Sequence, residues 1–383
     1  PLTNELWYEI DDCQDYDIVK AMFAPSTHER LELFHKRFGG YWRFGNIKDY
    51  CYLVNPYFPT EAMINKMKYF YDKLLFNYPS GQNIERICAC RMFDNVSDDN
   101  ILIGNGAAEL INNLKYIVGK KIALTIPSFN EYVRCFPNSE ITYINSKDDN
   151  YRLSLNKLKE TLNKVDTLII ISPDNPSGSH LKYGEVIELL DMAKEMDKQV
   201  IFDESFIDFA NDSYTLINDD ILKKYPNLIV IKSISKSYGV PGLRLGVLAS
   251  GNYEYLDIIN RNMPVWNINS FAEYFLQIFL IYKKDYIKGC SKIKEERNRF
   301  YNELIKIREL DVYDSEANYF MIKLNKGTAN EIAEYLLDNN KILIKVLNGK
   351  NGFDDKEYIR IAVKTKEEND YFIQSIKEYY DKK

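Results

Sequence analysis

The sequence predicts an α/β fold in which a large domain, built on a mainly parallel seven-stranded sheet, is followed by a small C-terminal α+β domain. Through the middle of the chain, short apolar segments rich in β-branched residues alternate with amphipathic helical segments. That alternation is typical of a parallel sheet covered by helices on both faces. After Leu310 the order changes to strand, helix, two strands and helix, which predicts a separate lobe. A chain of 383 residues with 45% hydrophobic residues is long enough to bury both cores.

The strands of the large domain are expected where apolar residues follow one another with little interruption. They comprise residues 101–103, 121–126, 141–144, 167–171, 199–202, 228–231 and 245–249. Helices are expected at 155–164 and 184–198, where apolar residues recur at the helical period. A further apolar helix is expected at 271–282. It is shorter than the roughly 20 residues that span a bilayer, so we expect it in the core or at a subunit interface.

The small lobe is expected to form one compact unit at the end of the chain. Its elements are a strand at 318–324, a helix at 328–339, strands at 342–346 and 358–363, and a closing helix from Glu367. The large domain is accordingly placed at 56–308 and the small domain at 309–383. Residues 25–55 are expected to form an N-terminal arm that belongs with the small domain.

Composition and charge exclude several classes of function. A formal charge of -6 and a pI near 5.4 give no basic footprint, so no nucleic-acid partner is expected. No basic segment followed by an apolar stretch opens the sequence, so we expect a cytoplasmic protein with no membrane partner. The six cysteines lack the spacing of zinc ligands and only three histidines are present. We therefore expect reduced thiols, no metal site and no histidine-activated nucleophile.

One segment after an apolar strand carries a lysine in a setting suited to covalent catalysis. It reads Ser-Ile-Ser-Lys-Ser-Tyr-Gly from Ser233 and continues to Arg244. A lysine held beside an arginine and a dianionic phosphate can form an imine with a carbonyl compound. The hydroxyls of Ser233 and Ser235 and the guanidinium of Arg244 suit phosphate oxygens. The alternative is a solvated loop in which Lys236 has no role.

Three further segments also follow strands. Asp203 ends an apolar strand, and a buried carboxylate there needs a partner such as a protonated pyridine nitrogen; a helix N-cap is the alternative. Asn175 lies in a turn rich in Pro, Ser and Gly and could donate to a phenolic oxygen. Gly106, Ala107 and Ala108 lead from a strand into a helix, and their small size lets backbone N–H groups approach an anion. A glycine-rich turn without a ligand is the alternative.

Together, the order of these segments resembles fold-type I pyridoxal-phosphate (PLP) enzymes, and specifically the class I and II aminotransferases. Asn175 and Asp203 are 28 residues apart, and Asp203 and Lys236 are 33 apart. The resemblance implies a PLP cofactor bound as a Schiff base to Lys236, which also moves protons, with Asp203 pairing the pyridinium. It implies that Asn175 binds the ring oxygen.

The same resemblance assigns further residues around the cofactor and the substrate. The residues implied to hold the phosphate are Gly106, Ala107, Ala108, Ser233, Ser235 and Arg244. Tyr132 matches the aromatic residue that stacks on the ring, and Arg360 matches the arginine that binds a substrate carboxylate. A homodimer is implied, with Tyr57 contributing to the cofactor site across the interface. Asn318 and Arg43 are further candidates for substrate binding, Arg43 from its charge alone, and Lys345 is a possible helper.

Details of the motifs favour one branch of this family. Phe206 stands where many members have tyrosine, and residues 203–209 and 264–269 resemble histidinol-phosphate aminotransferases and threonine-phosphate decarboxylases. Those relatives act on small amines that carry a phosphate. The segment Phe38-Gly39-Gly40 resembles the His-Gly-Gly of the decarboxylase but lacks its histidine, which makes decarboxylation of threonine phosphate less expected. Threonine-phosphate decarboxylase is kept as the runner-up, and histidinol-phosphate aminotransferase is the other alternative.

The N-terminal segment suggests a substrate. Residues 6–23 contain Tyr-Glu-Ile-Asp-Asp and resemble the end of a sugar- or choline-phosphate-type nucleotidyltransferase, although an acidic helix start is the alternative. With Pro1 in place of Met, we expect residues 1–24 to be the remnant of a preceding cytidylyltransferase domain. Fusions of this kind resemble proteins of phosphonate biosynthesis, which implies a 2-aminoethylphosphonate transaminase acting with an amino-acid donor. A PLP-binding sensor domain is the non-enzyme alternative.

Overall fold

The computed structural model describes residues 9–37, 39–354 and 356–382. Residues 6–8 of the segment interpreted as a nucleotidyltransferase remnant lie outside this part, as does Phe38. The described chain begins with α1 (Cys13–Met22), α2 (Thr27–Lys36) and the short strand β1 (Lys48–Asp49). Asp12 caps α1 by accepting from the backbone N–H groups of Gln14 and Asp15. Asp12 is therefore the acidic residue at the start of a helix, as in the alternative interpretation of this segment.

The large lobe is organised around a seven-stranded sheet. Its strands are β2 (Ile101–Asn105), β3 (Lys121–Ile126), β4 (Glu140–Asn145), β5 (Thr167–Ile171), β6 (Gln199–Asp203), β7 (Leu228–Ser233) and β8 (Leu245–Ser250). They are ordered β2-β8-β7-β6-β5-β3-β4, and only β8 is antiparallel to its neighbours. Both faces of the sheet are covered, since the central strands are buried along their whole length. The predicted fold class is confirmed.

The helices of the large lobe pack around the sheet. They are α3 (Glu61–Tyr69), α4 (Tyr71–Phe76), α5 (Gln82–Cys90), α6 (Ala107–Asn113), α7 (Asn130–Cys135), α8 (Leu155–Leu162), α9 (Tyr183–Glu195), α10 (Asp219–Lys224), α11 (Tyr253–Arg261), α12 (Ser270–Ile278) and α13 (Lys283–Leu304). The apolar helix expected at 271–282 is α12, which tightens into a 3₁₀ turn at Phe279–Tyr282. Within the described ranges, no helix combines the length and apolar character needed to cross a bilayer.

The small lobe contains a four-stranded antiparallel sheet. Its elements are β9 (Leu310–Val312), β10 (Tyr319–Leu324), α14 (Ala329–Asn340), β11 (Ile342–Leu343), β12 (Lys345–Val346), β13 (Tyr358–Ala362) and α15 (Lys366–Asp381). The sheet order is β12-β13-β10-β9. The single strand expected at 342–346 is two strands, because β11 pairs in parallel with β1 whereas β12 pairs with β13. The sequence also gave no sign of β9.

Candidate active site

One edge of the large sheet collects the residues singled out from the sequence. The parallel strands β5, β6 and β7 end at this edge, and Asn175, Asp203 and Lys236 lie at or just beyond those ends. Two antiparallel pairings bring β2 into the same direction as β7, so Gly106 reaches the same edge. The intervening strand β8 runs the other way and therefore begins there, directly after Arg244. Carboxyl ends of strands are the usual ligand sites of such sheets.

Asp203 is held as a buried hydrogen-bonded carboxylate. It is 4% exposed, accepts from the Ser205 backbone N–H at 2.9 Å, and accepts from the Tyr132 hydroxyl at 2.8 Å. Burial raises the pKa of Asp203 above its ordinary value, while the hydrogen bonds from Ser205 and Tyr132 oppose that change. The bond from Tyr132 was not anticipated from the sequence, which gave Tyr132 only a stacking role.

The side-chain amine of Lys236 loses its proton more readily than that of an ordinary lysine. Burial lowers its pKa to about 8, and the positive charges of Arg360 and Arg244 act in the same direction, whereas Asp203 opposes them. Its backbone carbonyl accepts from the N–H groups of Asn55 at 3.0 Å and Gly239 at 3.2 Å. The backbone of Lys236 is therefore held by hydrogen bonds, and its amine interacts electrostatically with Arg360, Arg244 and Asp203.

The cradle at the start of α6 brings the backbone of Gly106 against the guanidinium of Arg244. Gly106 has φ +76°, and a Cβ there would lie 2.5 Å from Nη2 of Arg244. Arg244 itself adopts a left-handed backbone conformation with φ 57°. The Ser235 hydroxyl is buried without a hydrogen-bond partner in the described part of the chain, and Ser233 is 8% exposed. A buried hydroxyl that still needs a partner and a guanidinium are donors of the kind that bind a phosphate.

Arg360 links the small lobe to the turn after β5. Its Nη1 donates to Oδ1 of Asn175 at 2.6 Å and its Nη2 donates to the Cys51 carbonyl at 2.8 Å. Its Nε has no partner among the described residues. The guanidinium lies 5.5 Å from the centre of the Tyr319 ring. Because Asn175 accepts through its oxygen, its amide N–H groups are left to serve another acceptor.

Two lysines join Arg360 in what we call the cationic face, defined as Arg360, Lys345 and Lys350. Lys345 is the direct cross-strand partner of Arg360 in the β12–β13 pair, which places both side chains on one face of that sheet. Lys350 lies in the loop that follows β12. Burial lowers its pKa to about 8, with Arg360 and Lys345 acting in the same direction and Asp174 opposing them. Positive charge is thus in excess at this face.

Beneath Lys236 lies a second charged cluster, which we call the ion network: Lys232, Glu204 and Asp208. Lys232 Nζ lies 3.0 Å from an Asp208 carboxylate oxygen and 3.4 Å from one of Glu204. Burial opposes the charge of Lys232, but Asp208 and Glu204 offset that effect and raise its pKa above the ordinary value. Asp208 also accepts from the Ser237 hydroxyl at 2.7 Å, one residue beyond Lys236. The signal that could have revealed this network is a lysine inside an otherwise apolar strand, because a buried charge needs partners.

The other residues predicted for the site lie in different settings. Ala107 and Ala108 form the first turn of α6, next to Gly106. Asn318 is fully buried, and neither of its side-chain polar atoms has a partner in the described ranges. Tyr57 lies under Lys292, with the ammonium 5.2 Å from its ring centre. Arg43 is exposed and its guanidinium lies over its neighbour Trp42. The proposed roles of these residues stay predictions.

The residues present fit PLP. The cradle at Gly106, Arg244 and Ser235 suits its phosphate, Asp203 suits a protonated ring nitrogen, and Lys236 has the low pKa of an amine that reacts with carbonyls. All six cysteines are free. Among the described residues, no group of His, Cys, Asp or Glu is arranged to hold a metal ion.

The sequence that builds this site is similar to those of known proteins. The family model described as aminotransferase class I and II matches residues 54–376. The L-serine phosphate decarboxylase Cj1436c of Campylobacter jejuni is 34% identical over 86% of this chain and 88% of its own length. The CMP-5'-(3-aminopropyl)phosphonate synthase of Streptomyces rubellomurinus is 28% identical over 98% of this chain, which spans only 60% of that protein.

A solved structure agrees over nearly the same extent. The histidinol-phosphate aminotransferase from Clostridium acetobutylicum is similar with a TM-score of 0.78 and 27% identity, covering 88% of this chain and 99% of that one. The likeness therefore extends over most of this chain and almost all of that one.

Proposed function

Because the chain belongs to the class I and II aminotransferases, a family of PLP-dependent enzymes, we propose that it interconverts phosphonoacetaldehyde and 2-aminoethylphosphonate. An amino acid and its keto acid form the second substrate pair. The cationic face is the observation that carries this proposal. Arg360, Lys345 and Lys350 supply more positive charge than one substrate carboxylate needs, and a phosphonate dianion matches that excess.

The similarity to a phosphonate synthase supports the same substrate class. That relative's name describes an aminoalkyl phosphonate, and its similarity extends over 98% of this chain. The aminoalkyl phosphonate proposed here is one carbon shorter. The preceding cytidylyltransferase domain expected from residues 1–24 belongs to this proposal as well.

In the proposed reaction, the bound cofactor supplies a ring that accepts the electron pair released at the amine-bearing carbon. Lys236 Nζ would accept the proton from that carbon and would deliver it on the cofactor side rather than return it to the same carbon, as transfer of the amino group requires. A pKa near 8 lets this amine both accept and give up a proton close to neutral pH. Asp203 keeps the ring nitrogen protonated, since its buried carboxylate favours a cationic partner.

Both substrate pairs must use one site in turn. Arg360 is proposed to bind the carboxylate of the amino-acid donor, and the cationic face binds the phosphonate of the other substrate. A planar guanidinium binds either anion through two parallel N–H donors. Asn175 orients Arg360 through the 2.6 Å hydrogen bond between them, so cofactor site and substrate site are joined by a direct contact.

The enzyme is further proposed to act as a homodimer. Large apolar side chains are exposed around α4 and before α12: Tyr69 is 85% exposed, Phe76 80% and Val265 80%. The exposed rings of Tyr78 and Trp266 stack with centres 4.4 Å apart. Apolar surface of this extent marks an interaction face. Tyr57 would serve the partner's cofactor site across that interface.

Decarboxylation of an amino acid that carries a phosphate or phosphonate is the second candidate function. It is favoured by the similarity to a protein named L-serine phosphate decarboxylase, at 34% identity. Both reactions give a small amine with an anionic phosphorus group, so the cationic face serves either one. They differ in the bond that breaks, which is C–H in transamination and the bond to the carboxylate in decarboxylation.

The two candidates are separated by their products. Purified enzyme loaded with PLP is incubated with 2-aminoethylphosphonate and pyruvate, and in parallel with L-phosphoserine and with 2-amino-3-phosphonopropionate. Formation of phosphonoacetaldehyde and alanine without carbon dioxide supports the transaminase. Carbon dioxide from either phosphorus-bearing amino acid, with no aldehyde from the amine, rejects it in favour of the decarboxylase. Lys236→Ala is the control and should form neither product.

A further inference from the structure

The loop between β12 and β13 carries a lysine that the sequence does not distinguish from a solvated one. It begins where the Leu347 backbone N–H donates to the Tyr358 carbonyl at 3.0 Å. Inside the loop, the Lys350 N–H donates to the Leu347 carbonyl at 3.3 Å and the Phe353 N–H donates to the Lys350 carbonyl at 3.4 Å. The Phe353 ring packs on Tyr358, with ring centres 4.5 Å apart. Lys350 is therefore held by turns on both sides.

The same loop lies directly against the large lobe. Gly352 has φ +97°, and a Cβ on it would lie 2.5 Å from the Pro127 nitrogen and 2.8 Å from the Ile126 carbonyl carbon. No side chain fits between these two backbones. Ile126 ends β3, and the chain continues from there to Tyr132 and its hydrogen bond with Asp203. The close approach at Gly352 places Lys350 where the two lobes meet, beside the cofactor site.

The neighbours of Lys350 indicate a missing anion. Arg360 and Lys345 are the cations whose fields reach it, and Asp174 is the opposing carboxylate. One oxygen of Asp174 accepts from the Ser177 hydroxyl at 2.7 Å, and the other is buried without a partner among the described residues. Burial raises the pKa of Asp174 to about 6, so this carboxyl group is less acidic than an exposed one. Lys350 thus has two other cations and one carboxylate around it, and Asp49 is the acidic neighbour of Arg360.

We propose that Lys350 binds the phosphonate or phosphate dianion of the substrate and thereby determines specificity for phosphorus-bearing substrates. This inference rests on the proposed function. Arg360 remains the site of the carboxylate, and Lys345 is its cross-strand partner. A lysine on a loop suits this role because a compact ammonium contacts a tetrahedral anion without needing a fixed planar orientation. The small lobe then recognises the carboxylate of the amino-acid donor and the phosphorus group of the other substrate.

The test uses the PLP-loaded enzyme with Lys350→Met, which removes the charge but keeps the length, and Lys350→Arg, which restores it. Lys326→Met is the matched control, since Lys326 is an exposed lysine of the same lobe. Methylphosphonate binding is measured by calorimetry. K350M should weaken it about 10- to 100-fold, as expected for loss of one charge-assisted hydrogen bond. K350R should recover most of the affinity, and K326M should match the wild type.

Steady-state kinetics separate a binding role from a structural one. K350M should raise the KM for the phosphonate substrate, while the cofactor absorption and the thermal unfolding temperature match the wild type. Equal methylphosphonate affinity in wild type and K350M overturns the role of Lys350, whatever the reaction. If the wild type binds methylphosphonate more tightly than K350M does but does not turn over 2-aminoethylphosphonate, the proposed transaminase is rejected. Lys350 then remains the anion site.

Discussion

Two clusters of charged side chains act on the segment around Lys236, and they are neutralised differently. In the ion network, Lys232 lies between two carboxylates, 3.0 Å from Asp208 and 3.4 Å from Glu204. In the cationic face, Lys350 has Arg360 and Lys345 as cationic neighbours and Asp174 as its acidic one, and Asp49 acts on Arg360. The first cluster is satisfied by the chain itself, whereas we propose that the second binds an external anion.

This difference indicates which property, folding stability or substrate binding, depends on each cluster. Removing one member of an ion pair inside the protein leaves its partner without a counterion, which destabilises the folded state. Charges of one sign that gather without partners repel one another in the free protein and are relieved when a ligand binds. We therefore expect changes in the ion network to affect folding, and changes in the cationic face to affect substrate binding.

The largest expected effect is on stability, from Lys232→Met. The side chain of Lys232 is 2% exposed and that of Glu204 is not exposed at all. Loss of the ammonium leaves the buried Glu204 and the partly exposed Asp208 without their counterion, which should lower the free energy of unfolding by about 3–5 kcal/mol. Urea unfolding followed by far-UV circular dichroism measures this change.

The matched variant in the other cluster is Lys345→Met. It removes a cation whose neighbours include other cations, so the free energy of unfolding should stay within about 0.5 kcal/mol of the wild type. Equal destabilisation by the two variants would contradict the distinction between the clusters.

The sequence predicted the sheet well because its strands are local signals. Strands buried on both faces appear as apolar runs, and β3 and β5 begin and end where these runs do. The division of 342–346 into two strands has no such signal. It depends on the pairing of β11 with β1, almost 300 residues earlier in the chain, and a two-residue strand is too short to show periodicity.

The candidate site divides in the same way. Lys236, Asp203 and Asn175 follow strands within recognisable motifs, so their order and spacing indicated them. Lys350 lies in a polar loop, and its position depends on the contact of Gly352 with Pro127. That contact joins two lobes across more than 200 residues. Local pattern could not predict it, because the glycine's role depends on a neighbour that is distant in sequence.

A smaller effect is expected from Arg360→Lys, which keeps the charge and removes the planar fork. The variant loses the two hydrogen bonds to Asn175 and Cys51. The KM for the amino-acid donor should rise about 10- to 100-fold, since a bidentate arginine pair is not reproduced by lysine. Stability should change little if the cationic face acts on binding. A KM that stays at the wild-type value, together with a loss of stability, would place Arg360 with the structural charges instead.

The smallest expected effect links Arg360 to the reactivity of Lys236. Covalent incorporation of PLP requires the neutral amine, so its rate in the apoprotein should rise with pH and level off above the Lys236 pKa of about 8. Burial is the main cause of the low pKa and Arg360 the next. Arg360→Met removes a positive charge, which makes the protonated amine less costly and should move the midpoint to higher pH.

The absorbance change on adding PLP to apoprotein measures this midpoint when it is followed from about pH 6 to about pH 10, roughly two units on either side of the lysine pKa. Arg43→Met is the control, because Arg43 lies at the surface over Trp42 and should leave the midpoint unchanged. If both arginine variants move it equally, the effect is one of net charge. A midpoint that moves only in Arg360→Met shows that the cationic face, although it serves the substrate, also sets the protonation of the lysine on the opposite lobe.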